Sequence, residues 1–216
     1  MIAICLPTRG MLFTRTMQCV VDGMQELNKL GIGTKLHTSY DLPIPDGHNY
    51  CVETALQDKA VNKILFVEED MYIEGPAFVA LATSDLPMAT LQYNDKNGRP
   101  HGIIEFDHTG DVVWCGLGAT AIKREVFEAV GTPYFEIKRR WKNIRYNENG
   151  VLKTKYERVY GESEFQYGGL DVDFCHRVRE KGFKITALPD FKAHHFELLA
   201  LGQPHTNNGC HSIRTV

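Results

Sequence analysis

The chain has 216 residues, 43% of them hydrophobic and 24% charged, with a formal net charge of −3. This size suits one domain whose core needs no staples, and the charge excludes whole-molecule attraction to nucleic acid or anionic membrane, though not a local basic patch. The six cysteines include no C-x-x-C pair and several lie in apolar runs, so they read as reduced, buried thiols of a cytoplasmic protein. No basic leader precedes the first apolar run and no stretch approaches the roughly 20 apolar residues of a membrane span, so neither a signal peptide nor a transmembrane segment is expected.

Ile2 to Leu6 is an apolar run that ends at Pro7-Thr8-Arg9-Gly10, a buried strand and a loop. Met17, Val20, Val21, Met24, Leu27 and Leu30 recur at helical spacing and predict a helix over 14–30 that stops at Gly31. A strand is expected at 34–39, a proline-containing loop from Asp41 to Gly47, and a helix over 48–60. Lys63 to Val67 forms another apolar strand, and Glu68-Glu69-Asp70 follows it. Strand and helix thus alternate through the first 70 residues, which predicts a parallel sheet covered by helices. Ligands of such sheets bind at the carboxyl ends of the strands, where Pro7-Thr8-Arg9 and Glu68-Glu69-Asp70 both lie.

Further along, a helix is expected from Pro76 to Ala82 and strands at 88–93 and 102–106 around an Asp95-Lys96-Asn97-Gly98 turn. Val112 to Cys115 reads as a strand, and Gly116 and Gly118 lead to a helix near Lys123. A helix runs from about Asp171 to Lys181, and a strand over 183–188 gives way to Pro189 and then His194-His195. The tail over 201–216 is polar. The chain reads as one domain, with a nucleotide-binding half over 1–93 and an acceptor-binding half over 94–200.

Three adjacent carboxylates after a buried strand repel one another unless something neutralises them. A divalent cation does so, and oxygen ligands suit Mn²⁺ or Mg²⁺. On an extended segment Glu68 and Asp70 face one way and Glu69 the other. A solvated acidic turn is the competing explanation. The run Ile64-Leu65-Phe66-Val67-Glu68-Glu69-Asp70-Met71 resembles the hydrophobic strand and D-x-D motif of GT-A glycosyltransferases, with Glu68 where the first Asp is usual. The resemblance implies a GT-A-type, Rossmann-like mixed sheet, mostly parallel and flanked by helices. It also implies that Asp70 is the metal ligand and that Glu68 lies nearer the ribose or the metal's water shell.

Tyr167-Gly168-Gly169-Leu170-Asp171-Val172-Asp173-Phe174, followed by Arg177, resembles the W-G-G-E-D-D-D-I and E-D-x-D-F-x-x-R segments of galactosyltransferase-like and family-2-like enzymes. Leu170 replaces the family's Glu. In inverting relatives the residue matching Asp171 is the catalytic base, whereas by itself an Asp here is also a helix cap. Gly168, Gly169 and Asp173, together with Trp114, are expected on the acceptor side. The resemblance further implies a late histidine on the metal, for which His194 is preferred and His195 held in reserve, because neighbours on an extended segment face opposite ways. Pro7, Thr8 and Arg9 resemble the segment that meets the nucleotide in family-2-like chains, and His48 and Asn49 resemble a pair near its base. With Glu68, Glu69 and Asp70 they make the expected donor side.

Between 138 and 158 the chain is basic and aromatic, with Lys138, Arg139, Arg140, Lys142, Arg145, Lys153, Lys155 and Arg158 among Trp141, Tyr146 and Tyr156. It reads either as an acceptor loop for an anionic substrate, nucleic acid such as modified DNA included, or as a solvated hairpin around Asn147-Glu148-Asn149-Gly150. The implied activity is metal-dependent transfer of a sugar from a nucleotide donor, UDP-linked, to an acceptor hydroxyl. The alternatives are a nucleotidyltransferase, although its glycine-rich loop is absent, and a nucleic-acid-binding module. A zinc site at His205, Cys210 and His211 lacks the usual spacing.

Overall fold

The first strand, β1 (Ile2–Leu6), is buried along its whole length, which a strand covered on both faces requires. A computed structural model describes residues 1–93, 104–137, 141–158, 166–167 and 169–196. Gly168, the Asp95-Lys96-Asn97-Gly98 turn, the cations at 138–140 and the tail with His205, Cys210 and His211 lie outside the described residues.

The first half follows the predicted alternation: α1 (Thr14–Lys29), β2 (Thr34–Thr38), α2 (Asp46–Gln57) and β3 (Lys63–Val67). Next come a short strand β4 (Met71–Ile73), α3 (Gly75–Thr83) and β5 (Met88–Gln92). A small hairpin of β6 (Ile104–Phe106) and β7 (Val112–Cys115) leads to β8 (Ala119–Lys123) and α4 (Arg124–Val130). The basic stretch forms an antiparallel hairpin, β9 (Trp141–Glu148) and β10 (Val151–Arg158), turning at Asn149 and Gly150 as its hairpin reading expected. The short β11 (Gln166–Tyr167) adds to β9, and α5 (Leu170–Glu180) and β12 (Ile185–His195) complete the described chain.

Seven strands form one mixed sheet in the order β2-β1-β3-β8-β5-β12-β4. β1 pairs in parallel with β2 and β3, and β5 with β12, while β8 runs antiparallel between β3 and β5. Side chains alternate along each strand, so both faces are apolar. Ala3, Cys5, Ile64 and Phe66 pack under α2, α4 and α5. Ile2, Ile4, Leu6, Leu65 and Val67 pack under α1 and α3. Gly23 permits the close approach of α1 to α3, since a Cβ there would fall 2.4 Å from the Phe78 ring. Cys5, Cys19, Cys51, Cys115 and Cys175 are buried and unbridged. No helix among the described residues is long and apolar enough to cross a membrane.

Three elements depart from the expectation. Residues 119–123, read as an approach to a helix, form the central strand β8; the run Ala-Thr-Ala-Ile is short, and only its two partners make it a strand. β4 was not anticipated, because three residues carry no period. Pro189 does not end the last strand. The pairing with β5 slips between Leu188 and Lys192, so the strand bulges and then pairs Ala193–His195 with β4. That bulge carries the histidine pair to the acidic motif.

Candidate active site

The carboxyl ends of β1, β3, β5 and β12 lie at one edge of the sheet, where the antiparallel β8 begins. The Glu68-Glu69-Asp70 turn at this edge is held through its backbone by three separate elements. Glu68 N–H donates to the Gly118 carbonyl at 3.2 Å, Glu69 carbonyl accepts from Phe13 N–H and Thr16 Oγ1, and Asp70 carbonyl accepts from Phe196 N–H at 2.7 Å. Met71 N–H closes the turn on Glu68. The carboxylates are therefore fixed before any ligand arrives. Gly118 is needed for this closeness: a Cβ there would lie 3.0 Å from Met71 and 3.1 Å from the Glu68 carboxylate.

The three acids have three different partners. Glu69 accepts hydrogen bonds from Thr8 Oγ1 and Arg9 N–H, at 2.9 and 2.8 Å, and from the Arg9 guanidinium. It fixes the Pro7-Thr8-Arg9 loop, so its carboxylate is already engaged within the protein. Glu68 turns to His48, whose Nε2 lies 3.3 Å from Glu68 Oε1; the imidazole is buried against the Phe66 and Phe135 rings. Asp70 Oδ2 lies 3.2 Å from His195 Nε2.

The structure pairs His195, not His194, with Asp70. His194 stands opposite Tyr72 in the β12–β4 register, and its Nε2 lies 3.8 Å from Glu74 in a more exposed position. Alternation along the strand separates the two rings, as expected, and the bulge decides which one turns inward.

Asp171 lies in the first turn of α5, whose N-cap is Gly169 and whose cap makes no side-chain hydrogen bond. Its carboxyl is pushed up to about 7, first by burial and then by the negative charge of Glu68, against the opposing pull of His48 and its own backbone. Chain neighbours apart, no described atom lies within 4 Å of a Cβ built on Gly169, two residues before it.

Other expected site residues are employed elsewhere. Asn49 exchanges two hydrogen bonds of 2.9 Å with the Phe135 backbone and so braces α2 against the segment after α4. Asp173 is fully buried in an ion pair of 3.1 Å with Arg177, one turn on, and Arg177 donates to the Pro133 and Tyr134 carbonyls. The Trp114 indole donates to Glu105 across the β6–β7 hairpin and packs on the core.

Sequence reasoning missed Tyr93, the residue after β5. It is 6% exposed and its ring stacks on His195 with centroids 6.4 Å apart and planes 3° from parallel. A tyrosine closing an apolar strand looks like core, and only the neighbouring strand β12 brings the histidine to it.

A cavity of about 50 Å³ beside the motif is lined by residues that include Pro7, Arg9, Ser39, Ile44, His48, Glu68 and Asp70. A larger one of about 750 Å³ opens at the opposite ends of the strands. Its cations are already taken up: Lys63 by the Ala82 and Ser84 carbonyls, Lys123 by Asp85, and Arg124 by carbonyls that include Leu56 and Asp58. The chemistry therefore concentrates at the carboxyl edge.

Solved structures share this architecture at low sequence identity. A197 from STIV matches with a TM-score of 0.56 at 20% identity, over 91% of this chain and 85% of that one. GalNAc-T7, solved with UDP, GalNAc and Mn²⁺, matches at 0.55 and 10% identity, over 94% of this chain and 45% of that one. The fold is of the GT-A type. This chain spans less than half of GalNAc-T7. The inositol-1-phosphate CTP transferase from T. maritima matches at 0.50 and 8% identity, over 90% and 88% of the two chains. No family profile and no curated protein matches the sequence. Identities this low establish fold and not activity.

The GT-A fold implies a divalent cation, and the residues present fit one. Asp70 and His195 offer one carboxylate oxygen and one imidazole nitrogen, a donor set that suits Mn²⁺ well. Among the described residues no group of three or more His, Cys, Asp or Glu converges as a closed site. Two protein ligands would leave positions for substrate oxygens and water.

Proposed function

We propose that this chain is a metal-dependent glycosyltransferase that moves a sugar from a nucleotide-sugar donor, UDP-linked, to an acceptor hydroxyl. The observation that carries the proposal is the convergence of the Asp70–His195 pair and the raised carboxyl of Asp171 on one edge of the sheet. In this reading Asp70 and His195 hold Mn²⁺ or Mg²⁺. When bound, the cation neutralises charge on the leaving diphosphate.

The protein's own groups supply the rest. The Pro7-Thr8-Arg9 loop, fixed by Glu69, and the small cavity beside it receive the nucleotide. Glu68 and His48 line that cavity, and their charges act on the Asp171 carboxyl. In an inverting transfer Asp171 accepts the proton of the acceptor hydroxyl while that oxygen bonds to the anomeric carbon and the bond to the diphosphate breaks. A carboxyl near 7 is well matched to this work, since it is largely ionised just above neutrality yet basic enough to take a proton. Residues 1–93 make the donor half and 94–200 the acceptor half, and the basic β9–β10 hairpin gives the acceptor side its preference for an anionic substrate.

The test is a screen of nucleotide sugars for Mn²⁺-dependent binding and hydrolysis, with CTP and UTP included to detect nucleotidyl transfer. Binding of a nucleotide sugar that needs Mn²⁺ and is lost in Asp70→Asn is the expected result. Undiminished donor binding by a folded Asp70→Asn protein would remove Asp70 from the site. If no nucleotide sugar binds with metal, the glycosyltransferase reading fails.

A further inference from the structure

Tyr93 is buried at this edge, and the mechanism above leaves it without a task. It follows β5 and lies between β8 and β12, so one element brings it to Gly118 and the other to His195. Its ring covers the His195 imidazole nearly in parallel. The same imidazole faces Asp70 through Nε2. A flat neighbour limits rotation of the imidazole, which would otherwise sweep Nε2 away from the carboxylate. The tyrosine itself is nearly fully buried, so the packing around it holds its ring in place.

We propose that Tyr93 is a positioning residue whose ring holds the His195 imidazole in register with Asp70. This rests on the metal-dependent reading above. Neighbours that orient a metal ligand commonly change affinity by about 10- to 100-fold when removed. The two parts of the side chain therefore separate experimentally. Tyr93→Phe keeps the ring and loses the hydroxyl, whereas Tyr93→Leu loses the flat face as well.

Mn²⁺ affinity is read by electron paramagnetic resonance in the presence of UDP, together with kcat and KM for the donor that the screen identifies. Tyr93→Phe, which keeps the ring, should bind Mn²⁺ within about twofold of wild type and keep the donor KM. Tyr93→Leu should weaken Mn²⁺ binding by about tenfold or more. A folded Tyr93→Leu protein with wild-type Mn²⁺ affinity, or a Tyr93→Phe protein weakened as much as Tyr93→Leu, overturns the ring's role. Should Tyr93→Leu not fold, the stack is read in Tyr93→Phe and wild type from the ring-current shift of the His195 proton resonances, assigned with His195→Gln; no shift in either protein overturns it. Failure of wild type itself to bind Mn²⁺ with any nucleoside diphosphate would instead sink the metal-dependent reading.

Discussion

Asp171 offers a measurement that does not require the substrate. Its carboxyl sits at about 7 in the folded protein against an ordinary value of 3.8. A carboxyl raised by folding contributes stability that is fully present below its unfolded value and is lost as pH rises through its folded value. At about 1.4 kcal/mol per pH unit, ionising Asp171 in place costs the folded state about 4 kcal/mol in full, and roughly 2 to 3 kcal/mol of that falls between about pH 5 and pH 8. Asp171→Asn keeps the shape and cannot ionise, so it avoids this cost. The stability of the variant relative to wild type should therefore rise by about 2 to 3 kcal/mol from pH 5 to pH 8. Urea unfolding followed by circular dichroism reads this as a change of about 1 M in the difference between midpoints. The same variant should lose transfer activity by about 100-fold or more. An equal midpoint difference at both pH values would refute the raised carboxyl and, with it, the physical case for Asp171 as base.

Three further outcomes are expected. His195→Gln should weaken Mn²⁺ binding in the presence of UDP by about tenfold or more, while His194→Gln stays within about twofold, both by paramagnetic titration. Asn49→Ala removes both hydrogen bonds to the Phe135 backbone and should cost about 1 to 3 kcal/mol in urea unfolding, with donor affinity by calorimetry unchanged. A loss of donor affinity with stability intact would return Asn49 to the donor side. Glu69→Gln removes the charge that holds Thr8 and Arg9; it should cost about 1 to 2 kcal/mol and speed hydrogen exchange of the Arg9 and Gly10 amides, since most of the Arg9 side chain is in water. Unchanged exchange would mean the loop is held by other contacts.

Local chemistry explains what could be read without coordinates. β1 and β3 are apolar throughout because helices cover both faces, and continuous apolar runs of five residues report that directly. α1 shows its buried stripe through Val20 and Leu27. Glu68-Glu69-Asp70 followed such a run, so its place at a strand end was legible, and Asp171 was legible from the glycines and acids around it. The partners of these groups were not. Glu69 and Asp70 are adjacent, yet one holds a loop 60 residues earlier and the other faces a histidine more than a hundred residues later.

Only the tertiary structure could decide between His194 and His195, because the choice depends on a bulge at Leu188 to Lys192 that re-registers the strand against β4. The same holds for Tyr93: a buried tyrosine after a strand has ordinary sequence surroundings, and long-range packing alone makes it a neighbour of the candidate metal ligand. The sequence by itself determined most of the strands and helices, β4 and β8 apart, and which end of the sheet carries the acids, because those follow from local periodicity. Which side chain meets which was left to pairing between distant strands, where a shift of one residue reverses every face.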